Sequence, residues 1–420
     1  MAVKELIRNN KREVKDVFYL IALQGMNYIA PLVVLPYLMV VLGAEKFGYI
    51  GFSLSVCQYL MLLVDFGFNL SATKRIALAK TNQVELDKIF SATVYAKIGL
   101  LLVSFFILVI ISFIPQFTIY KTVMFVMFLM VVGNTFLFVF LFQGLGQILW
   151  VSVVNAVAKL SILPITFIFV KCPDDYLWAA FIQSMVSVGA TLMSLGIVVK
   201  RQWVHLLPCD FPAIRGEMKE SLPLFLSSAA TSVYTASFVI ILGLFALPDE
   251  VGRYSAVDRI MRALSYLVLV PVLQAFYPRV SRLSVEDRSQ AVSLSWKLLG
   301  VIVMGMVVIC VAMCFLSPFV VDFLGKDYKG TASLFRIMAF VPIFVGIGGA
   351  FRQLWLLAMG GETDKKHFQQ TYFIAAIVAL IGVLILSPLY HAQGAAIALL
   401  LTEEIVAVLM FCAFKKMKKW

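Results

Sequence analysis

The sequence predicts an all-α integral membrane protein. Of its 420 residues, 62% are hydrophobic and only 14% are charged, and the mean hydropathy is +0.95. Soluble globular domains are about half apolar and about a quarter charged, so this composition excludes them. Because one membrane-spanning helix takes about 20 mostly apolar residues, the hydrophobic content is enough for about twelve spans and little else.

Apolar runs, interrupted by charges, glycine and proline, place these spans along the chain. The first 16 residues are charged and lead into an apolar run without a small-residue cleavage site, which predicts an uncleaved first span rather than a signal peptide. Six spans are predicted in the first half of the chain, at residues 17–41, 47–68, 89–114, 121–143, 149–170 and 177–199. Six more are predicted in the second half, at residues 221–246, 254–277, 292–317, 334–359, 368–387 and 393–414.

The orientation of the spans follows from the lysines and arginines in the connections between them. The connections on the side of both termini hold 22 basic residues, and those on the opposite side hold six. Basic residues close to the ends of spans stay in the cytoplasm. A bias that alternates over every connection therefore predicts twelve spans with both termini cytoplasmic.

A polar connection at residues 201–220 divides the chain into two predicted six-helix lobes, residues 1–200 and 221–420. The lobes echo each other weakly, because Leu42-x-x-Glu45 and Leu247-x-x-Glu250 each lie between the first two spans of a half. Paired repeats around a binding site at the membrane midplane are common in transporters. The location favours duplication, and a chance match of so few residues is the alternative.

Two arginines inside predicted span 8 are the strongest functional signal. An ionisable side chain in a span is costly, so it is by default a functional hypothesis. Arg259 and Arg262 share one helix face with Ser255 and Tyr266, at positions i, i+4, i+7 and i+11. This cationic face predicts an anion site. Asp258 is adjacent, and a structural ion pair is the alternative for part of the cluster.

Three further basic residues lie inside spans and are candidate substrate contacts. Lys159 is near the middle of predicted span 5, where it reaches water only through a cavity. Lys97 and Arg352 lie about 10–12 Å from the ends of their spans, so snorkelling of the charge toward the interface is the alternative for both.

Amides and acids complete the predicted lumen. Gln24 and Asn27 lie one turn apart in span 1, and Gln58 and Asn69 lie on a polar face of span 2; we expect these amides to meet sugar hydroxyls. Amides that only hold helices together are the alternative. The candidate ion-coupling acids are Asp65, Asp258 and Glu403. The driving force for transport would be an H⁺ or Na⁺ gradient or the membrane potential. Glu403 could equally neutralise Lys159 or Arg352.

Other function classes find little support. The chain has no G-x-x-x-x-G-K-[ST] loop, which disfavours direct use of ATP. Its three histidines and six cysteines show no metal-ligand spacing, so no metal and no organic cofactor is predicted. Most of the basic residues behind the net charge of +12 lie in the connections between spans, which argues against nucleic acid as a partner. A transporter is therefore predicted rather than an enzyme.

Several stretches resemble bacterial O-antigen flippases of the polysaccharide transporter family, in the superfamily that also contains multidrug and toxin extrusion proteins and lipid II flippases. The resemblance runs in order over nearly the whole chain, and DFGFNLSATK is its most specific block. The stretches are NYIAPLVVLPYL at 27–38, VLGAEKFGYIGF at 41–52, QYLMLLVDFGFNLSATK at 58–74, FQGL at 142–145, FIFVKCPDDY at 167–176 and GRYSAVDRIMRAL at 252–264. After FQGL the family normally has an acidic residue, whereas here Gly146 follows.

The resemblance implies two six-helix bundles that form a V around a central cavity. It also implies a substrate, undecaprenyl-pyrophosphate carrying a short oligosaccharide, which moves from the cytoplasmic to the periplasmic leaflet of the bacterial inner membrane. Asn27, Asp65, Asn69 and Arg259 carry over as lumen positions. The implied partners are this lipid-linked oligosaccharide, the bilayer and, less directly, a glycan polymerase and assembly proteins.

The leading hypothesis is alternating access in which cationic side chains hold the pyrophosphate and amides meet the sugar. The alternatives are an exporter of drugs or of another polyprenyl-linked glycan, a membrane-embedded glycosyltransferase or polymerase, and a scaffold for glycan assembly.

Overall fold

The computed structural model describes the backbone of residues 11–417 and the side chains of residues 33–230, 232, 236–361 and 369–417. Within this part of the chain every regular element is a helix. The first half holds α1 (Lys11–Asp65), α2 (Phe68–Ala79), α3 (Gln83–Ser112), α4 (Lys121–Thr135), α5 (Val139–Gly144), α6 (Ile148–Phe169) and α7 (Tyr176–Arg201). The second half holds α8 (Phe211–Phe245), α9 (Pro248–Glu286), α10 (Arg288–Leu324), α11 (Ala332–Met338), α12 (Val341–Ala350), a π-helix (Phe351–Leu357) and α13 (Glu362–Lys416).

Two of the helices contain a sharp break between predicted spans. Gly43 interrupts α1 with a φ of 67°, a conformation that glycine adopts without steric cost. His391 interrupts α13 with a φ of 49°, which is costly for a residue with a side chain. These breaks fall in the predicted connections 42–46 and 388–392. Predicted span 4 is not one continuous helix, because Phe138, with a φ of 46°, separates α4 from α5.

Nine stretches of the described residues are long and apolar enough to cross a membrane. Two of them, Val33–Ala79 and Gln369–Lys416, contain the breaks at Gly43 and His391, and Ala236–Phe245 is a shorter apolar stretch. The chain is therefore an all-helical, multi-pass membrane protein. The count of twelve spans and the placement of both termini in the cytoplasm remain predictions.

The chain divides into two compact units. The first contains the described residues up to Leu38 together with Cys57–Ile114 and Lys121–Leu226. The second contains Met39–Val56, Pro115–Tyr120 and the chain from Ser227 onward. Two short segments of the predicted first lobe thus cluster with the second unit, and the lobe boundaries 1–200, 201–220 and 221–420 remain a prediction.

Close backbone approach organises the packing of the first unit. A Cβ at Gly133 of α4 would lie 2.7 Å from backbone atoms of Ser187 and Val188, so only glycine lets α7 come so near. Thr191 of α7 donates its hydroxyl to the carbonyl of Gly133. Small residues at helix interfaces give van der Waals packing in a membrane, where apolar burial between helices is not a driving force.

The chain between α7 and α8 is fixed to the first unit by backbone hydrogen bonds. The amide of His205 donates to Asp87 Oδ1 at 2.9 Å, and the amide of Leu207 donates to Ser91 Oγ at 2.8 Å. Asp87 and Ser91 lie one turn apart near the start of α3 and are both buried. A pair of side chains on α3 thus satisfies backbone donors of a segment that has no helix of its own.

Candidate functional site

Asp65, Lys97 and Asn134 form a polar cluster inside the first unit. Lys97 is 2% exposed, and its Nζ lies 3.1 Å from Asp65 Oδ1. Asn134 Nδ2 donates to Asp65 Oδ2 at 3.2 Å. Two residues predicted for separate roles, Asp65 for ion coupling and Lys97 for substrate binding, therefore meet as an ion pair. A buried charge without such a partner would cost several kcal/mol.

The chain direction at the end of α1 supports this position of Asp65. Phe66 and Gly67 follow it with φ values of 41° and 83°, so the helix stops immediately after the carboxylate. A Cβ at Gly67 would lie 2.9 Å from the carbonyl oxygen of Ser221, which leaves no room for a side chain. In the DFGFNLSATK block, α1 thus ends at Asp65, and the carboxylate lies in the last turn of the helix.

In the second unit, Arg262 is held by its neighbour one turn away. Its Nε donates to both carboxylate oxygens of Asp258, at 2.9 and 3.0 Å. The structural ion pair that the sequence left open for this cluster is therefore the arrangement that Arg262 adopts. Pairing at i, i+4 is local, and each group largely offsets the charge of the other.

Glu403 and Arg352 extend this charged cluster. Glu403 is 3% exposed and lies close enough to Arg262, Asp258 and Arg352 for electrostatic interaction with all three. Arg352 Nη1 donates to the hydroxyl of Tyr372 at 3.2 Å. Arg352 lies in the π-helix, a widened turn that often occurs at functional sites. The cluster alternates two acids with two arginines.

Arg259 differs from these residues, because no carboxylate of the described residues lies within ion-pair distance of its guanidinium. The side chain is half-buried, and its Cζ lies 5.3 Å from the centroid of the Phe47 ring, a cation–π contact. Asp258, the adjacent acid in sequence, is engaged by Arg262. Arg259 is thus a partly dehydrated cation with charge available for a ligand.

A tight crossing of α1 and α9 determines where Arg259 lies. A Cβ at Gly252 would lie 1.8 Å from the carbonyl oxygen of Ala44, and a Cβ at Gly48 would lie 2.0 Å from the carbonyl oxygen of Pro248. One turn further along, a Cβ at Gly51 would lie 2.6 Å from Ser255 Oγ and 4.0 Å from Arg259 Nη2. The glycines therefore let α1 and α9 come into close contact, and this crossing fixes the position of the backbone near Arg259.

Tyr328 adds a neutral phenol near Arg259. The side chain is fully buried, and its hydroxyl has no hydrogen-bond partner among the described residues. Burial, followed by the charge of Asp327, raises the pKa of Tyr328, so the hydroxyl keeps its proton at neutral pH. It is close enough to Arg259 for an electrostatic interaction. The surroundings of Arg259 are thus donor-rich.

Lys159 is the other cation of the predicted set without an ion-pair partner within the described ranges. It is half-buried in α6, in the first unit. The predicted amide contacts are less uniform. Gln58 is exposed, while Asn69 Oδ1 is buried and accepts no hydrogen bond from the described residues. The side chains of Gln24 and Asn27 lie outside the described residues.

A further ion pair joins residues that the sequence analysis did not single out. Arg75 of α2 binds the buried carboxylate of Glu217 on α8 and lies 3.5 Å from Glu220. One turn away on each helix, the hydroxyls of Ser71 and Ser221 share a hydrogen bond of 2.5 Å. Burial raises the pKa of Glu217, and Arg75 opposes this effect. Both charges lie near the ends of predicted spans, where a sequence pattern indicates solvated residues.

No group of three or more histidine, cysteine, aspartate or glutamate side chains that could hold a metal ion occurs in the part of the chain with described side chains. Of the basic residues predicted as substrate contacts, Arg259 in the second unit and Lys159 in the first have no ion-pair partner among the described residues. Each of these two cations can bind an anion.

Comparison with known proteins gives the family. The profile of the family described as "Polysaccharide biosynthesis protein" matches residues 14–284. A putative O-antigen transporter of Escherichia coli (strain K12) is 31% identical over 398 residues, 94% of this chain and 95% of that protein. A putative O-antigen transporter of Shigella dysenteriae is 31% identical over 407 residues, 96% of this chain and 100% of that protein.

Solved structures show the same fold. The lipid II flippase MurJ in an inward closed conformation has a TM-score of 0.73 at 16% identity, covering 94% of this chain and 88% of the MurJ chain. An inward-facing multidrug resistance transporter of the MATE family, in the MOP superfamily, has a TM-score of 0.65 at 13% identity, covering 93% of this chain and all of the other. At this identity the likeness establishes the fold alone. The resemblance derived from the sequence blocks is confirmed.

Proposed function

Because this chain belongs to the polysaccharide biosynthesis protein family, we propose that it is a flippase that moves a lipid-linked glycan between membrane leaflets. It is a multi-pass protein of the bacterial inner membrane and a transporter rather than an enzyme. The relatives, at 31% identity over nearly their whole length, carry the name "Putative O-antigen transporter". This supports a glycan repeat unit of O-antigen as cargo.

The finer part of the proposal concerns the substrate and its direction. The cargo is undecaprenyl-pyrophosphate bearing a short oligosaccharide, and it moves from the cytoplasmic to the periplasmic leaflet by alternating access. The direction is the one that the resemblance to O-antigen flippases implies, and the predicted topology of twelve spans with both termini in the cytoplasm is compatible with it. The polyprenyl chain stays in the lipid while the polar part crosses.

The unpaired charge of Arg259 is the observation that carries this proposal. A pyrophosphate has two phosphoryl groups, and a guanidinium binds phosphate oxygens in a planar, bidentate geometry. In the same unit, Arg262 is engaged by Asp258, so it contributes to the field around Arg259 rather than to direct contacts with substrate. In the first unit, Lys97 is engaged by Asp65, whereas Lys159 has no ion-pair partner among the described residues.

The energy source is part of the proposal. Glu403 is the acid best placed for ion coupling, because it is buried, interacts electrostatically with Arg262 and Arg352, and is held in no bidentate pair by the described residues. Asp65 and Asp258 are occupied by Lys97 and Arg262. A proton or sodium gradient would act through Glu403, whereas the membrane potential would act on the charge of the pyrophosphate. Contact with a glycan polymerase or assembly protein would follow transport and needs no residue named above.

The test uses proteoliposomes that contain the full chain and a short-chain polyprenyl-pyrophosphate oligosaccharide. The fraction of oligosaccharide that becomes accessible to an added lectin is measured for the wild type, for Arg259→Gln and for Arg282→Gln. Arg282 lies on the same helix but is 64% exposed, so it is the matched control. We expect exposure with wild type and control, and loss with Arg259→Gln.

Two outcomes would contradict the proposal. Full translocation by Arg259→Gln would refute the role of Arg259 in an anion site. A wild type that leaves the distribution of the lipid between the leaflets unchanged would refute the flippase function. Mass analysis of the recovered lipid separates the enzyme alternative, because a flippase leaves the covalent structure of its cargo unchanged and a glycosyltransferase or polymerase does not.

A further inference from the structure

Two adjoining cavities of the second unit share Glu250 and His391 in their walls. The smaller, of about 240 Å³, is polar and is also lined by Arg253, Thr331, Tyr390 and Gln393. The larger, of about 440 Å³, is mostly apolar and includes Ile119, Leu244 and Phe245. Neither cavity contains Arg259 or any other residue predicted as a site from the sequence. The two form a surface with one hydrogen-bonding side and one apolar side.

The polar cavity carries little net charge. Arg253 Nη2 lies 3.2 Å from Asp249 Oδ2, and its Nε donates to the carbonyl oxygen of Asp327 at 3.0 Å, so its cation is already engaged. Glu250 Oε2 lies 3.3 Å from His391 Nδ1. A pyrophosphate would meet the carboxylate of Glu250 here without a free cation to offset it. A neutral ligand with many hydroxyl groups fits this charge balance.

Hydrogen-bonding capacity in this cavity is unused. Thr331 is 3% exposed, and its Oγ1 has no hydrogen-bond partner among the described residues. Glu250 Oε2 is also buried without a hydrogen bond of acceptable geometry, in spite of the nearby imidazole. Leaving such a group unsatisfied costs about 1–3 kcal/mol, unless a ligand or water supplies the partner. Both groups line the cavity, where a ligand would meet them.

The backbone at His391 is held in an unfavourable conformation. Its φ of 49° and ψ of −127° break α13 at this residue, and Tyr390 and Gln393 on either side line the same cavity. Strained non-glycine residues cost about 1–3 kcal/mol and cluster at ligand sites. The break places an exposed aromatic ring, an imidazole and an amide around one space.

We propose that this pair of cavities is a sugar-binding subsite that receives a ring of the transported oligosaccharide. Carboxylate, amide, imidazole and hydroxyl groups match the alternating donors and acceptors of a sugar ring. The apolar wall of the larger cavity matches its C–H face. The inference rests on the proposed function, because it assigns the glycan of that cargo to a place separate from the cation that holds its pyrophosphate.

The experiment measures binding of the free oligosaccharide, released from its lipid carrier and lacking pyrophosphate, to the full chain in detergent micelles. Saturation-transfer NMR reports the dissociation constant for the wild type, Glu250→Gln, Thr331→Val and His391→Gly. Glycine is chosen at 391 because it accepts the positive φ and so preserves the fold. We expect each substitution to weaken binding about tenfold, the loss that follows from one or two missing hydrogen bonds.

Glu45→Gln is the matched control. Glu45 is the residue that the weak sequence repeat aligns with Glu250, but it accepts hydrogen bonds from Tyr49 at 2.6 Å and Lys46 at 3.1 Å and lines neither cavity. Its substitution should leave the dissociation constant unchanged.

The outcomes separate this inference from the proposed function. Equal binding by the wild type and all three cavity variants, or no binding by the wild type, would overturn the sugar subsite. If the wild type moves no lipid-linked oligosaccharide in the lectin assay, the proposed function fails. If it does move this lipid and the cavity variants bind sugar as tightly as the wild type, only the subsite fails.

Discussion

The Asp65–Lys97 pair gives the sharpest test of the electrostatics inside the first unit. The side chain of Lys97 is 3% exposed, whereas that of Asp65 is 26% exposed and also receives a hydrogen bond from Asn134. Removal of one partner of a buried pair costs about 3–5 kcal/mol, because it leaves the other charge buried without compensation. The asymmetry of exposure predicts that the two single substitutions are not equivalent.

We expect Asp65→Asn to destabilise the protein by about 3 kcal/mol, because the nearly inaccessible ammonium of Lys97 then lacks its carboxylate. Lys97→Met should cost less, about 1 kcal/mol, since Asp65 keeps Asn134 and partial access to solvent. The double variant should be close to wild type, because replacing both members of a buried pair is often neutral. The coupling energy is therefore about 4 kcal/mol.

The assay is equilibrium unfolding in mixed micelles with increasing denaturing detergent, followed by tryptophan fluorescence. The four proteins form a double-mutant cycle, which isolates the interaction between the two side chains. Additive effects, with the double variant as unstable as the sum of the singles, would refute the ion pair as the reason for the burial of Lys97. A Lys97→Met variant less stable than Asp65→Asn would refute the argument from exposure.

Three further predictions concern single positions. Gly252→Ala should lower the unfolding temperature sharply, because its Cβ would lie 1.8 Å from the carbonyl oxygen of Ala44. Gly300→Ala is the control and should not lower it, because no atom lies within 4 Å of a Cβ at that position. Thermal unfolding scans of both variants test this. Arg262→Met should also destabilise the protein, by leaving the carboxylate of Asp258 without its bidentate partner, and unchanged stability in the same scans would contradict the pair. Burial raises the pKa of Glu217, so its contribution to stability is present at low pH and is lost as pH rises through that pKa; Glu217→Gln should remove this decline in a series from about pH 4 to 8.

The sequence was sufficient to predict the class of the fold, because the thickness and the apolar interior of the membrane set the length and the composition of each span. The predicted connections at 42–46 and 388–392 contain the breaks at Gly43 and His391, since polar residues and helix breakers collect where a chain leaves the membrane. The interruption at Phe138 was not predicted. A positive φ at an apolar residue is imposed by tertiary packing, and no local pattern reports it.

In the functional site, too, the local interaction could be predicted from the sequence and the long-range interaction could not. The pairing of Arg262 with Asp258 is local, at i, i+4, and the sequence contained it as an alternative. The pairing of Lys97 with Asp65 joins residues 32 positions apart, and its detection needs the packing of two helices. Helical phase alone placed Arg259 and Arg262 on one face, although only Arg259 keeps its charge available. Helical phase indicates where a charge points and does not say what neutralises it.

The segment between α7 and α8 has a consequence for engineering the chain. Its backbone is fixed at His205 and Leu207 by side chains of α3, so the nine residues from Gln202 to Asp210 are not a uniform flexible tether. An inserted epitope or protease site before Leu207 would have to break these partly buried hydrogen bonds, whereas one placed after Leu207 would lengthen a part of the segment without them. The part of the segment that can be lengthened without breaking these bonds is therefore shorter than the nine residues between α7 and α8.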